Sequence, residues 1–317
     1  MNNTFKYAIG IDLGGTFIKF GLVRSDGQLM YENILATEAD KTTSIVIANL
    51  ISAVRKTQEY AQDQGIAPFG IGIGTPGIID RTYRIVLEAS NIPGWKNLKL
   101  ADSIEQVRGL PVWINNDASM MGLGEQAFGA ARNYSDVLFL SVGTGIGGAI
   151  IIDNKLFGGY DNRGAELGHT PLYSDGVSCS CGSVGCLEAY ASTTALIQQF
   201  ENRCLIAGIS FSEKITGKFI VKLYHEQHSI AVESINEHCR FLGIGVAGLV
   251  NIFSPQRVVI GGGISESGSF YIEKIKAEMK RYVVPSCAVN TEVCAAQLGN
   301  KAGILGAAQW AFLCSRE

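Results

Sequence analysis

The sequence predicts an α/β fold built as two similar domains, and three observations predict it. The segments "YAIGIDLGGTFIKFGLVRSDGQL" (residues 7–29) and "VLFLSVGTGIGGAIIIDNKLFGG" (residues 137–159) share one pattern. Each reads as a β-branched strand, a Gly/Thr turn, a second strand, an Asp-containing turn and a third strand. The same unit recurring about 130 residues later points to two like domains. Helical patterns follow each β unit, which gives sheet-plus-helix layers in both halves. Finally, 317 residues suffice for two domains with a core each.

Taken in order, residues 42–63 place Val46, Leu50, Val54 and Ala61 at helical spacing with charges between, so an amphipathic helix is expected. "GIGIGTPG" (residues 70–77) reads as a short buried strand ending in a turn. "PVWINNDAS" reads as another strand, with Asp117 as N-cap of a helix starting near Ala118. In the second half, residues 187–200, 230–253 and 269–282 read as helices, and "RVVIGGGIS" as a strand running into a glycine turn. Ligand loops are expected at strand ends. No linker is rich in Pro or Ser, so one or two short hinges are expected to join the domains.

Composition narrows the function classes. With 47% hydrophobic and 17% charged residues the chain is expected to pack, not to be disordered. A net charge of −3 offers no electrostatic reason for nucleic acid or an anionic membrane as partner. "MNNTFKYAIGID" carries no signal-peptide pattern, and the uncharged run 137–152, with four glycines, falls short of the ~20 residues that span a bilayer. Three of the eight cysteines cluster with metal-ligand spacing, which suits a reducing cytoplasm. Cys204, Cys239, Cys287, Cys294 and Cys314 are expected as small buried hydrophobes. The 38 glycines, about one residue in eight against ~7% in average chains, are clustered, which points to backbone contacts with a ligand.

"DLGGTFIK" sets Asp12, Gly14, Gly15, Thr16 and Lys19 around a hairpin turn. Glycine lets backbone N–H groups approach phosphate oxygens, and the Thr hydroxyl adds a donor. Asp12 could hold Mg²⁺ through water. "GTGIGG" (residues 143–148) offers a second cradle, and "IGGGIS" (residues 260–265) a glycine-walled surface for a flat base. "GTGIGG" is not a dinucleotide fingerprint, since its last Gly comes too early and no strand–turn–helix follows. Any one of these segments alone reads equally as a tight turn.

The order "DLGGTFIK", "NND", "VGTGIGG", "GAELGH", "CSCGSVGCLE", "VVIGGGIS" resembles the ROK sugar kinases over nearly the whole chain. That resemblance implies two actin/hexokinase-like (ribonuclease H-like) domains with an interdomain cleft. The small N-terminal domain would be residues 1–117 plus the C-terminal helix, 301–317, folded back on it. The large domain, with the zinc site, would be residues 118–300. The resemblance also implies ATP contacts at Gly14, Gly15, Thr16, Thr144 and Gly145, nucleotide contact near Gly262 and Gly263, and a homodimer.

A sugar kinase needs a carboxylate that takes the proton of the attacked hydroxyl, and polar partners for the other hydroxyls. Asp117, beside Asn116 at a strand end, is the candidate base, and the family pattern puts the catalytic Asp there. Capping a helix and acting as base compete for that side chain. Glu166 and His169 are three apart, so a helical turn would aim them alike, although Gly168 weakens such a turn. Glu188 could merely complement a helix dipole. The family pattern assigns Glu166, His169 and Glu188 to sugar hydroxyls along with Asn116 and Asp117. "TPG" with Gly77, and "SNIPGW" (residues 90–95), resemble further sugar-side loops.

His169, Cys179, Cys181 and Cys186 form an N/S ligand set that suits Zn²⁺. Four protein ligands close the first shell and no HExxH occurs, so a structural metal is expected. Binding one ring nitrogen of His169 would fix the other as a donor toward sugar. His225, His228 and His238 are read as lying on polar helix faces. The leading expectation is an ATP-dependent hexokinase acting on the 6-hydroxyl of glucose, with domain closure excluding water. An N-acetylglucosamine or N-acetylmannosamine kinase is the alternative. Ile78 after "TPG" adds no polar group for an acetamide, which favours glucose. A sugar-responsive ROK regulator and an inert actin-like scaffold are the other classes, separable by sugar-dependent ATP turnover.

Overall fold

The first glycine-rich unit forms three antiparallel strands, β1 (Tyr7–Leu13), β2 (Phe17–Arg24) and β3 (Leu29–Ala36). The computed structural model describes residues 5–89 and 92–315. β1 is buried almost throughout, as its unbroken apolar run requires of a central strand. β4 (Ile71–Thr75) and β8 (Val112–Asn116) join in parallel, giving the order β3-β2-β1-β4-β8. Between them lies a small antiparallel sheet of β5 (Ile78–Ile79), β6 (Val86–Glu88) and β7 (Lys96–Leu98).

Alternation along β1 decides which helix covers which face. Ile9 and Ile11 point into a core shared with α1 (Thr43–Asp63) and α2 (Leu100–Arg108). Val46, Leu50, Val54 and Ala61 of α1 are all fully buried there, as their spacing predicts. Ala8 points the other way and packs against α9 (Ala302–Cys314). Gly10 and Gly72 share that second face because α9 touches the sheet backbone. An added Cβ would lie 2.0 Å from the Ile304 carbonyl oxygen at Gly10, and 1.7 Å from that of Ala307 at Gly72. α3 (Asp117–Phe128) meets α9 as closely, since a Cβ at Gly306 would lie 1.7 Å from the Met120 carbonyl oxygen. The buried Glu125 of α3 accepts N–H bonds from Ala130, Gln297 and Leu298, which pins the chain entering α9.

The second unit repeats the plan. β9 (Val137–Val142), β10 (Ile146–Ile152) and β11 (Lys155–Leu156) are followed by α4 (Glu188–Ala191), α5 (Thr193–Ile206), α6 (Gly217–His225) and α7 (Ser229–Phe253). Then come β12 (Arg257–Gly261), α8 (Ser269–Tyr282) and β13 (Glu292–Ala295). The sheet order is β11-β10-β9-β12-β13, with β9, β12 and β13 parallel. In both sheets the strands therefore run third, second, first, fourth, fifth.

By internal contacts the chain divides into one compact unit of residues up to 134, 149–165 and from 297 on, and another of residues 135–148 and 166–296. α3 and residues 149–165 thus group with the first unit, whereas the sequence boundary falls at residue 117. No helix among the described residues is long and apolar enough to cross a membrane.

Several local expectations change. The helix expected over 187–200 is two helices, broken at the extended Ser192, whose hydroxyl accepts from Ala195 N–H at 3.1 Å to start α5. The cap of α3 is Asn116, not Asp117: the Asn116 side-chain oxygen accepts from Ala118 and Ser119 N–H. His238 is not on a polar face but fully buried, its Nε2 2.8 Å from the Tyr271 hydroxyl. Burial lowers its pKa to about 3. Cys204 and Cys239 are buried as expected, while Cys287, Cys294 and Cys314 are only partly so.

Candidate active site

In the first unit the β1–β2 turn presents Gly14, Gly15 and Thr16. Gly14 N–H bonds the Phe17 carbonyl at 3.0 Å, and Thr37 braces the turn from outside. The Thr37 hydroxyl donates to Gly14 O at 2.7 Å, and its N–H to Thr16 O at 2.9 Å. A Cβ at Gly15 would meet nothing within 4 Å, so its backbone stays open to a ligand. Asp12 is 5% exposed beneath this turn, and burial raises its carboxyl pKa while Lys19, 3.9 Å away, pulls it down. Lys19 also donates to Asn300 at 2.9 Å. A single desolvated carboxylate fits Mg²⁺ held chiefly by water and phosphate, since Mg²⁺ keeps most of its waters.

At the end of β8, three consecutive residues divide the work. The Asn115 side-chain oxygen accepts from Asn116 N–H at 2.9 Å, and Asn116 Nδ2 donates to the Gly77 carbonyl at 3.2 Å. Gly77 sits at φ 101°, where a Cβ would also strike the Glu88 carbonyl, so the "TPG" turn needs glycine. Asp117 opens α3, with its Oδ1 2.8 Å from Ala118 N. Asn162, unnoticed in the sequence, donates to Ile79 O at 3.1 Å and to Asn115 at 3.4 Å. Of "SNIPGW", Ser90 and Asn91 lie outside the described residues, while Ile92 and Trp95 are core side chains.

In the second unit the β9–β10 turn is held from α4 and α5. Thr193 N–H bonds Gly143 O at 2.9 Å, the Thr194 hydroxyl bonds Thr144 O at 2.8 Å, and Ile146 N–H bonds Glu188 Oε2 at 2.8 Å. A cavity of about 430 Å³, the size of a nucleotide-scale ligand site, opens beside it. Thr144 and Gly263 line this cavity, together with Thr193, Ile197, Thr216 and Lys218. Gly145 instead faces the Glu188 carboxylate, and Gly262, at φ 94°, faces the Val142 backbone. Thr193, Thr216 and Lys218 are not legible in the sequence, because they come from the starts of α5 and α6, which carry no ligand motif of their own.

Glu166 precedes and His169 ends a single 3-10 turn, Leu167–His169, closed by His169 N–H to Glu166 O at 3.0 Å. Gly168 does not break it. It is there because a Cβ would lie 2.1 Å from the Ile146 carbonyl oxygen. Burial raises the Glu166 carboxyl pKa, opposed by His169 and reinforced by Glu188.

The ligand atoms of His169, Cys179, Cys181 and Cys186 all lie within 4.8 Å of one another. Cys181 and Cys186 Sγ are 3.7 Å apart, and Cys179 Sγ is 3.6 Å from His169 Nδ1. Metal–sulfur bonds of about 2.3 Å at tetrahedral angles set such edges at about 3.7 Å, so the donors fit one small thiophilic ion. Ser180 Oγ, between two of these cysteines, donates to Glu188 Oε1 at 3.1 Å.

Two sheets of one order, each with a braced glycine turn, define an actin/hexokinase-like protein of two domains. Comparison with known proteins sharpens this. The ROK family model matches residues 8–312, and the chain belongs to the ROK family. It is 37% identical to a glucokinase of Streptomyces coelicolor, covering 96% of each chain. It is 36% identical to the crystal structure of a ROK family glucokinase from Streptomyces griseus in complex with glucose and AMPPNP. The TM-score is 0.83, with 96% of this chain and 98% of that one covered. It is also 35% identical to a xylose repressor of Caldicellulosiruptor bescii, over 96% of this chain and 78% of the repressor.

Proposed function

We propose that this ROK-family sugar kinase transfers the γ-phosphoryl group of ATP to the 6-hydroxyl of glucose. The observation that carries the reading is its full-length similarity to glucokinases, one of them seen with glucose and AMPPNP. Asp117 is the base: its carboxylate takes the hydroxyl proton as that oxygen attacks phosphorus, and ADP leaves. Asn116 caps α3 in the place expected for Asp117, although Asp117 Oδ1 also accepts the Ala118 N–H at 2.8 Å. Gly77, Asn116, Glu166, His169 and Glu188 orient the remaining sugar hydroxyls.

The open turns at Gly14, Gly15, Thr16 and Thr144, with Gly263 and Lys19, receive the nucleotide, while Gly145 and Gly262 let the turns that carry them pack against Glu188 and the Val142 backbone. Mg²⁺ near Asp12, when bound, would neutralise charge on the phosphates. His169, Cys179, Cys181 and Cys186 would hold Zn²⁺ as a structural ion, which would fix the histidine ring and the loop ends in place. With Nδ1 toward the cysteines, His169 Nε2 is left as the N–H donor for sugar.

A panel of hexoses and N-acetylhexosamines in a coupled ADP-release assay tests the substrate. Glucose is expected to give the highest kcat/KM. A larger value for N-acetylmannosamine or N-acetylglucosamine would move the acceptor to that class, and sugar-independent or absent turnover would favour a regulator. We infer a homodimer from the family resemblance, and sedimentation velocity tests it.

A further inference from the structure

Glu188 is bonded from two directions by groups with different duties. Oε2 accepts the Ile146 N–H at 2.8 Å, closing the glycine turn whose Gly143 and Thr144 line the cavity. Oε1 accepts the Ser180 hydroxyl at 3.1 Å, from inside the cysteine loop, and Cys179 Sγ lies 3.9 Å from the same oxygen. The fit at the turn is close, because a Cβ on Gly145 would lie 2.3 Å from Oε2. The other two supports of the turn, Thr193 and Thr194, come from α5 and do not touch the cysteine loop through these bonds. A carboxylate held on both oxygens cannot rotate, and releasing one oxygen loosens the bond at the other.

We propose that Ser180 is a positioning residue which, through Glu188, ties the metal-ligand loop to the glycine turn of the nucleotide site. The state of that loop therefore sets nucleotide affinity even when no sugar is bound. This rests on reading the β9–β10 turn as a nucleotide cradle. The Ser180 hydroxyl fixes the carboxylate, and the carboxylate fixes the Ile146 amide and with it the Gly143–Thr144 backbone that faces the cavity.

The test is calorimetric titration of the purified full chain with AMPPNP and Mg²⁺, without sugar. It compares the wild type, Ser180→Ala, Ser180→Thr and chelator-treated wild type. Ser180→Ala and the chelated protein are expected to bind AMPPNP about three- to tenfold more weakly, a part of what a hydrogen bond to a charged group contributes. Ser180→Thr, which keeps the hydroxyl, is expected to recover wild-type affinity. In turnover, Ser180→Ala is expected to raise KM for ATP while leaving kcat within about twofold.

Equal AMPPNP affinity in the wild type, Ser180→Ala and the chelated protein overturns this coupling and leaves the kinase reading intact. A wild type that binds no nucleotide overturns both. Should Ser180→Ala not fold, the chelated wild type alone decides, since unchanged affinity there contradicts the link.

Discussion

Asp117, Ala165 and His238 each carry a consequence that one substitution or one titration exposes. Asp117→Asn keeps the size of the side chain but cannot take a proton. Turnover is expected to fall about 10²- to 10⁴-fold with glucose binding retained, and near-normal turnover by the coupled assay would remove Asp117 from the role. Ala165 is held at φ 66°, a left-handed conformation that strains any residue with a Cβ. Ala165→Gly is expected to raise stability by up to about 1 kcal/mol in urea denaturation, and a loss of stability would show that the methyl matters more than the strain. His238 has its folded pKa lowered to about 3 by burial. Below about pH 6.5 the unfolded chain gains a proton there that the native chain refuses, so stability is lost progressively as pH falls from about 6.5 toward 3. The imidazole resonance of His238 is expected not to shift between pH 7 and 4 in NMR.

Among the elements, α9 shows how glycines do structural work away from any ligand. Gly306→Ala would drive a methyl into the Met120 carbonyl, and the expected cost is about 1–3 kcal/mol or more, with a lower thermal midpoint. An unchanged midpoint would mean that α3 and α9 can move apart freely. The same elements show what a sequence displays. Long, strongly periodic helices such as α1, α7 and α8 were legible because apolar spacing reports burial. The nine-residue α2 and α6 were not, since two turns carry too little period. The break at Ser192 was signalled by a Ser before an apolar run, a cap signature hidden inside a longer helical pattern. His238 departs from the polar face expected of it because it lies in a buried stripe with Ile235, Cys239 and Leu242, which its polar type hides. At the site, the His/Cys cluster and the glycine turns are legible from spacing. The supports around them, Asn162, Ser180 and Thr194, are not, because they act over 8 to 83 residues of sequence through one or two bonds.

Across the whole molecule, one topological plan occurs twice, and the two copies have taken different additions. The first carries Asp117 at the end of its fifth strand, and the second carries the cysteine loop between its third and fourth strands. Chelating the proposed Zn²⁺ is expected to weaken glucose binding about tenfold or more, exceeding the effect on nucleotide, and unchanged glucose calorimetry would end the positional role proposed for that ion. The most direct measurement of the central claim is ³¹P NMR of the protein with Mg-ATP, with and without glucose. The expected result is ADP and a hexose 6-phosphate monoester growing together only when glucose is present. Inorganic phosphate released at the same rate without sugar, or ATP left intact in both tubes, would contradict it.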